Sequence, residues 1–134
     1  MTMSAIHQSL AHCKTIAVVG LSPKPHRDSF RVAKYMQDHG FRIVPINPNA
    51  SDVLGETSYA SLTEAAQHER IDMVNCFRNS EDIPPIAAEA IAIGAKSLWL
   101  QLGVAHEAAA KEAADAGLLV VQNRCLMVEH RQRN

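Results

Sequence analysis

The chain has 134 residues, of which 47% are hydrophobic and 20% are charged, and its formal net charge at pH 7 is −1. This composition is typical of one globular domain, and the nearly neutral charge disfavours general binding to nucleic acid or to an anionic membrane. Aromatic residues make up only 4% of the chain, which argues against stacking on single-stranded nucleic acid, and no apolar stretch of about 18 residues predicts a membrane span.

Strand-like and helix-like segments alternate along the chain. Short apolar runs predict five buried parallel strands, at residues 15–19, 41–46, 73–77, 97–100 and 118–121. The predicted helical segments are 4–12, 28–39, 61–66, 80–93, 106–116 and 123–133, and residues 49–55 are predicted to form a loop. We therefore expect a three-layer, Rossmann-like α/β fold with a doubly wound, five-stranded parallel sheet. Residues 1–134 are expected to form a single domain, with its core at about residues 14–130.

The end of the first predicted strand is the first candidate site, because doubly wound sheets bind ligands beyond the carboxyl ends of their strands. This strand ends in Gly20, Leu21 and Ser22. A glycine there lets the backbone turn sharply and approach a phosphate, while the next helix directs free N–H groups at the anion. Lys24 and Arg27 add positive charge to the turn. The pattern predicts binding of a phosphate-bearing ligand.

The first two strand ends disfavour NAD as that ligand. The fingerprint G-x-G-x-x-G is absent after the first strand, because Gly20 is its only glycine. The second strand ends in Asn47, where an NAD site would need an acidic residue for the ribose hydroxyls. Asn47 and Pro48 are predicted to lie beside a ribose or an adenine edge, or else to form an ordinary turn.

The third and fourth strand ends add further candidates, each with a structural alternative. Phe77 either covers an adenine ring or completes the core. Arg78 either binds a phosphate or pairs with a neighbouring carboxylate. Gln101 follows an apolar strand at the same edge, where its side-chain amide can hydrogen-bond a ligand.

The last strand end carries a thiol in a polar setting. Asn123, Arg124 and Cys125 follow the fifth predicted strand. A cation beside a thiol favours the thiolate, so Cys125 is a candidate for reaction with a ligand thiol or disulfide. The alternative is a half-buried, inert thiol.

The three cysteines are odd in number and widely spaced, which disfavours a secreted disulfide framework. Residues 1–12 are polar where a signal peptide would have an apolar segment. We therefore expect a reduced, cytoplasmic protein. The spacing of histidines and cysteines matches no metal site, and the chain carries no nucleophile motif, so neither metal ligands nor catalytic residues are predicted.

The strand-end motifs, taken in order, resemble the small, single-domain coenzyme A-binding proteins. That family is related in fold to the CoA-binding domains of the succinyl-CoA synthetase α-subunit and of ADP-forming acyl-CoA synthetases. The matching stretches are VGLSP at 19–23, VPINP at 44–48, LGE at 54–56, FR at 77–78, LWLQLG at 98–103, AG at 116–117 and NRC at 123–125. No single stretch is specific, but the ordered set spans nearly the whole chain.

This resemblance implies a sheet order of 3-2-1-4-5, with CoA or an acyl-CoA lying across the carboxyl edge. The phosphates would bind at residues 20–22 and at the start of the following helix. The nucleoside would lie near Asn47 and the pantetheine near Gln101 and Cys125, where a mixed disulfide between Cys125 and CoA is a hypothesis. Asn49 stands where relatives often carry a lysine after the Asn-Pro pair.

Binding of a small molecule without catalysis is the function that we expect from these residues. Three other functions stay open. The chain could be an enzyme, or an enzyme subunit, that acts on acyl-CoA. It could be a binding module that responds to NAD(H), or an α/β domain that binds a protein partner and no nucleotide.

Overall fold

Strands and helices alternate in the computed structural model, which describes residues 4–133. The strands are β1 (Thr15–Val19), β2 (Arg42–Ile46), β3 (Asp52–Val53), β4 (Glu56–Thr57), β5 (Met73–Cys76), β6 (Ser97–Leu100) and β7 (Leu119–Val121). The helices are α1 (Ala5–His12), α2 (Asp28–Asp38), α3 (Leu62–Ala65), α4 (Ile83–Ala92), α5 (Glu107–Asp115) and α6 (Leu126–Gln132), with a 3-10 turn at Ser80–Asp82. None of the helices within residues 4–133 has the length and apolar character needed to cross a membrane.

The central sheet is parallel throughout and has the order β2-β1-β5-β6-β7. Beyond β2, Tyr59 forms a parallel one-residue bridge with Ile46, which continues the sheet by one position. When this bridge is counted as the third strand in chain order, the sheet runs Tyr59, β2, β1, β5 and β6, which is the order 3-2-1-4-5. Strand β7 lies beyond β6 at the far edge. The predicted α/β class and Rossmann-type order are confirmed, and the predicted strand at 73–77 occupies the fourth place in that order.

Two apolar layers lie on the two faces of the sheet, because successive side chains of a strand point to opposite sides. Ala17 and Val19 of β1 face the cluster formed with α3, α4 and α5. Ile16 and Val18 face the cluster formed with α2 and α6. Every β5 and β6 residue is buried, which explains why these strands are apolar in the sequence except at Asn75 and Ser97.

Helix α2 begins at residue 28 as predicted, and the structure differs from the expectations at its cap and at the start of α4. Asp28 and Ser29 are good capping residues, yet Arg27 is the N-cap of α2, and it makes no side-chain capping bond. The Ser29 hydroxyl accepts a hydrogen bond from the Ser22 N–H instead (3.0 Å). The predicted helix at 80–93 is divided into the 3-10 turn and α4, with prolines at the start of α4.

The predicted loop at 49–55 contains part of a small antiparallel hairpin formed by β3 and β4. Its two turn residues, Leu54 and Gly55, both have positive φ angles (56° and 77°). This turn type matches the twist of a hairpin, but it normally carries Asn or Asp before the glycine. A leucine in that position gave no turn signal, which is why the hairpin was not predicted.

A cluster of rings joins the end of α2 to α6. Tyr35 stacks on His39 with 4.0 Å between ring centroids, and the Tyr35 hydroxyl hydrogen-bonds His130 Nδ1 (2.9 Å). The rings of His39 and Phe41 lie edge-on to His130 at 5.4 and 5.5 Å. Burial of the imidazole, followed by the nearby His39, lowers the pKa of His130. Protonation of His130 is therefore less favourable in the folded than in the unfolded chain.

We expect His130 to make the stability of the protein depend on pH. Because its folded pKa is lowered, its contribution to stability is present above the unfolded pKa and is lost as the pH falls through the folded pKa. Thermal unfolding followed from about pH 7.5 to about pH 5.5 should show a shallower loss for His130→Gln than for the parent chain. His7→Gln, at an exposed position on α1, is the control and should retain the parent slope. Equal slopes for all three proteins would contradict this assignment.

Candidate functional site

The carboxyl ends of four strands form one row at the same edge of the sheet. Val19 is in register with Ile46 and with Cys76, and Cys76 is in register with Leu100. The next residues along each chain segment are Asn47, Gly20, Phe77 and Gln101. Neighbouring strands lie about 4.8 Å apart, so this row extends over about 14 Å. The strand ends that the sequence singled out therefore come together.

The end of β1 approaches the end of β5 so closely that only glycine fits there. Gly20 has a φ of +86°, and a Cβ atom on it would lie 2.5 Å from the Phe77 carbonyl oxygen. Gly20 N–H donates to Ile46 O (3.0 Å), and Phe77 N–H donates to Val19 O (2.9 Å). From the sequence, this glycine is predicted to let the backbone approach a phosphate, which stays a prediction. In the structure, the close contact with Phe77 within the sheet requires a glycine.

A pocket of about 460 Å³, which we call the α2 pocket, lies between this strand end and the start of α2. The residues that line it are Gly20, Ser22, His26, Arg27, Asp28, Ser29, Asn47 and Phe77. Five of them, Gly20, Ser22, Arg27, Asn47 and Phe77, are candidates from the sequence. Contact of these residues with a ligand stays a prediction.

The loop between β1 and α2 is shaped by its own residues. Leu21 is completely buried and packs in the core, and it is not among the residues that line the α2 pocket. Ser22 donates its N–H to the Ser29 hydroxyl, and Lys24 donates its N–H to the Ser22 hydroxyl (3.1 Å). The first turn of α2 carries no side-chain cap. Its N–H groups are therefore available to an anion in the pocket.

The charge around the α2 pocket is positive. Lys24, His26 and Arg27 are exposed, and neither Lys24 nor Arg27 forms an ion pair with any residue among 4–133. The one carboxylate at the pocket, Asp28, pairs with Arg31. Arg31 also donates to His26 O (2.6 Å), so it braces the loop.

Asn47 is used within the fold. Its Nδ2 donates to Leu21 O (2.9 Å), and its Oδ1 accepts from Asn49 N–H (2.8 Å). The side chain therefore ties the end of β2 to the loop after β1 and forms the turn that the structural alternative predicted. A ligand that contacts the Asn47 side chain would bond to the amide hydrogen or the oxygen lone pair that these two bonds leave free.

Pro48 and Arg78 lie at a second pocket, on the opposite face of the sheet. This α4 pocket has a volume of about 360 Å³ and is lined mainly by apolar residues of β1, β2, α3 and α4, including Val19, Ile46 and Ile86. Arg78 forms an ion pair with Asp82 (3.5 Å) at its edge. The sequence did not predict that these two candidates would separate from the α2 pocket.

The last candidates surround a third pocket. This α6 pocket, of about 500 Å³, is lined by Leu102, Gln122, Asn123, Arg124, Cys125, Val128 and Glu129. Asn123 has a φ of +58°, and its Oδ1 accepts from Gly103 N–H (2.7 Å). Arg124 forms an ion pair with Glu129 (3.6 Å). Cys125 is partly exposed, whereas Cys13 and Cys76 are buried.

Gln101 lies beneath this region. It is buried, and its Oε1 accepts hydrogen bonds from Asn75 Nδ2 and from Leu126 N–H (both 3.3 Å). The sequence assigned the Gln101 amide to a ligand, but in the structure its oxygen holds two parts of the chain together.

Sequence reasoning missed Ser29 and Asn75 among the residues that shape the site. Ser29 is a residue type that often caps helices, and nothing else in the sequence marks it. Asn75 is the one polar residue within the apolar run of β5, and that interruption of the pattern was the signal available for it.

Replacing Gly20 by alanine should destabilise the fold more than the same replacement at a glycine that also has a positive φ but has open space around the Cβ position. Gly55 also has a positive φ (+77°), and a Cβ atom there would meet nothing within 4 Å. Gly55→Ala should lower the free energy of unfolding by about 1–2 kcal/mol for the left-handed backbone. Gly20→Ala should lower the free energy of unfolding by this amount and by about 1–3 kcal/mol more, because the new Cβ atom would meet the Phe77 carbonyl. Urea unfolding of both variants measures this difference, and equal losses would contradict the close approach.

Proteins of known structure or sequence resemble this chain along nearly its full length. An uncharacterized protein of Bacillus subtilis (strain 168), YneT, is 40% identical over 125 residues, which covers 93% of this chain and 91% of that protein. A hypothetical protein from Pyrococcus horikoshii OT3 has 37% sequence identity and a TM-score of 0.90, with coverage of 97% of this chain and 92% of that chain.

The fold is also similar to part of a larger enzyme. The dinucleotide-forming acetyl-coenzyme A synthetase 1 of Ca. Korarchaeum cryptofilum matches 84% of this chain with a TM-score of 0.70. The match covers 26% of the synthetase at 19% identity and shows a shared fold alone. The model of the CoA-binding domain family matches residues 14–131, and the chain belongs to this family.

Proposed function

We propose that the protein binds coenzyme A, or an acyl-CoA, at the carboxyl edge of its sheet. The observation that carries this proposal is the α2 pocket, an uncapped helix start surrounded by cations, in a chain that belongs to the CoA-binding domain family. The ligand is a small molecule, and the proposed function is binding rather than catalysis. We treat residues 1–134 as one ligand-binding domain in the reducing cytoplasm, consistent with three free cysteines.

The phosphates are assigned to the α2 pocket. Free N–H groups at the start of a helix suit a pyrophosphate. Lys24 and Arg27 add positive charge, and Asp28, the carboxylate among the described residues that line the pocket, is paired with Arg31. The three phosphates of CoA carry about −4 charge at neutral pH, so a local excess of positive charge on a chain of net charge −1 favours them.

The rest of the ligand is assigned along the row of strand ends. The nucleoside would lie near Asn47, with Pro48 and Arg78 at the neighbouring α4 pocket. The pantetheine would pass Phe77 towards Gln101 and the α6 pocket, where Cys125 stands. The row of about 14 Å from β2 to β6 supports an extended ligand that crosses several strands rather than one confined to a single loop.

A calorimetric titration of ligand-stripped protein with CoA tests this proposal. We expect heat with a stoichiometry of one per chain and micromolar or tighter affinity, and thermal stabilisation by CoA. NADH should neither produce heat nor displace CoA. Absence of both heat and stabilisation with CoA would contradict the proposal and favour a partner-binding domain. Displacement of CoA by NADH would favour the NAD(H)-responsive module.

Arg27→Ala should weaken CoA binding by about tenfold, because one charge-assisted contact to a phosphate is lost. Lys34→Ala is the matched control, since Lys34 is a cation of the same helix that pairs with Asp38 (3.0 Å) away from the pocket. A loss of affinity for CoA that exceeds the loss for dephospho-CoA would assign Arg27 to the 3′-phosphate. Equal affinities of Arg27→Ala and Lys34→Ala would remove Arg27 from the site.

The hypothesis of a mixed disulfide is limited to Cys125 by burial of the other two thiols. Burial raises the pKa of Cys13 to about 11 and that of Cys76 to about 12, so both are protonated and shielded at neutral pH. In the proposed exchange, the Cys125 thiolate attacks the sulfur of CoA disulfide. One CoA stays bound through the new disulfide, and the other leaves as a thiolate.

Incubation with CoA disulfide should add one CoA to the chain, as seen by nonreducing mass spectrometry, and a reducing agent should remove it. Cys125→Ser should abolish the adduct, and Cys13→Ser should retain it. An adduct that persists in Cys125→Ser, or no adduct in the parent chain, would refute the mixed disulfide without bearing on reversible CoA binding.

A further inference from the structure

A chain of buried amides links the middle of the sheet to the loop that carries Cys125. Asn75 lies in the middle of β5, in register with Val18 on one side and Trp99 on the other, and is only 1% exposed. Its Nδ2 donates to Trp99 O (3.4 Å) and to Gln101 Oε1 (3.3 Å). The Asn75 amide is therefore directed along the sheet towards its carboxyl edge.

Gln101 links Asn75 to the start of α6 by hydrogen bonds. It is 6% exposed, and the same Oε1 that accepts from Asn75 also accepts from Leu126 N–H (3.3 Å). Leu126 is the first residue of α6, directly after Cys125. One oxygen atom thus joins β5, the end of β6 and the start of α6.

The Asn75 side chain destabilises the fold at one atom, and this loss indicates that its amide is needed for the bond to Gln101. Asn75 Oδ1 is buried and has no hydrogen-bond partner within residues 4–133. A buried polar atom without a partner is destabilising, and the neighbouring residues Val74 and Cys76 show that β5 otherwise carries less polar side chains. The hydrogen bond from Asn75 Nδ2 to Gln101 Oε1 offsets part of this loss.

Other hydrogen bonds hold the same loop from the side of β6. Trp99 Nε1 donates to Arg124 O (2.9 Å), and Arg124 N–H donates to Leu100 O (3.3 Å). Asn123 is fixed by Gly103 through its side chain. The loop at residues 123–125 is therefore held on its outer side by β6 and from beneath by Gln101.

We infer that Asn75 and Gln101 are positioning residues, which set the place of the loop at 123–125 and of the Cys125 thiol at the carboxyl edge. Neither side chain needs to touch the ligand for this role. The inference rests on the proposed function only where it assigns the loop to the pantetheine end of CoA. The positioning itself is testable without any ligand.

Two substitutions remove the amides while keeping the shape of the side chains. Asn75→Leu keeps the branching at Cγ, and Gln101→Met keeps a side chain of similar length. Ser97→Ala is the control, because it removes an equally buried polar group from β6. Its hydroxyl bonds the Ser9 hydroxyl (2.8 Å) at the other end of the strand, away from the loop.

The measurement is the rate at which iodoacetamide alkylates Cys125 in the folded, ligand-free protein, followed by peptide mass spectrometry. We expect the rate to rise about fivefold in Asn75→Leu, which loses the bond to Gln101, and by at least as much in Gln101→Met, which loses the bonds to Asn75 and Leu126. The rate should stay unchanged in Ser97→Ala. In the same two variants, CoA affinity should fall.

An unchanged alkylation rate in the amide variants would overturn the inference, as would an equal rise in Ser97→Ala, which would indicate general loosening. If Asn75→Leu fails to fold, Gln101→Met carries the test, because Gln101 lies outside the strands. Failure of the parent chain to bind CoA would refute the proposed function, and the alkylation rates would still decide whether the two amides position the loop.

Discussion

The close approach of the ends of β1 and β5 is the constraint on which the site depends. Gly20 lies against the Phe77 carbonyl with no room for a Cβ atom, and the backbone bonds of Val19 and Gly20 join β1 to both neighbouring strands. This contact brings the strand ends into one row and leaves crevices on both faces of the sheet. The loop after β1 must turn at that point, so the start of α2 comes to lie beside the row. The α2 pocket and the exposed start of α2 thus both lie beside this backbone contact.

The polar residues around this edge have two distinct roles. Ser22, Ser29 and Asn47 form hydrogen bonds within the chain and give the loops their shape. Lys24 and Arg27, in contrast, have no ion-pair partner in the described part of the chain, while Asp28 is already paired with Arg31. An anion can therefore bind without first breaking an internal ion pair, and little of its binding energy is lost to rearrangement. This arrangement, together with the family to which the chain belongs, supports the proposal of CoA as ligand.

The far end of the same edge is built differently. It has a partly exposed thiol, held in a loop by hydrogen bonds from β6 and from Gln101, and it lies next to the exposed apolar side chain of Leu102. Burial protects the other two thiols from reaction. The proposed ligand has its charge at one end and its thiol at the other, and the row of strand ends carries the same polarity. The assignment of pantetheine to the α6 pocket follows from that match.

The sequence by itself determined the class of the fold and most of its elements, because apolar strands that alternate with helical segments are local patterns that do not depend on distant residues. β1 and β6 were predicted to the residue, and the ordered strand-end motifs pointed to the correct family. Only the tertiary structure decided which strand ends share a pocket. It placed Pro48 and Arg78 at the α4 pocket rather than at the α2 pocket. It also joined the Gln101 oxygen to Asn75 and Leu126 by hydrogen bonds, and placed Tyr59 at the edge beyond β2. These outcomes depend on contacts between residues far apart in the chain, and on the face of the sheet to which each side chain points after its strand has ended.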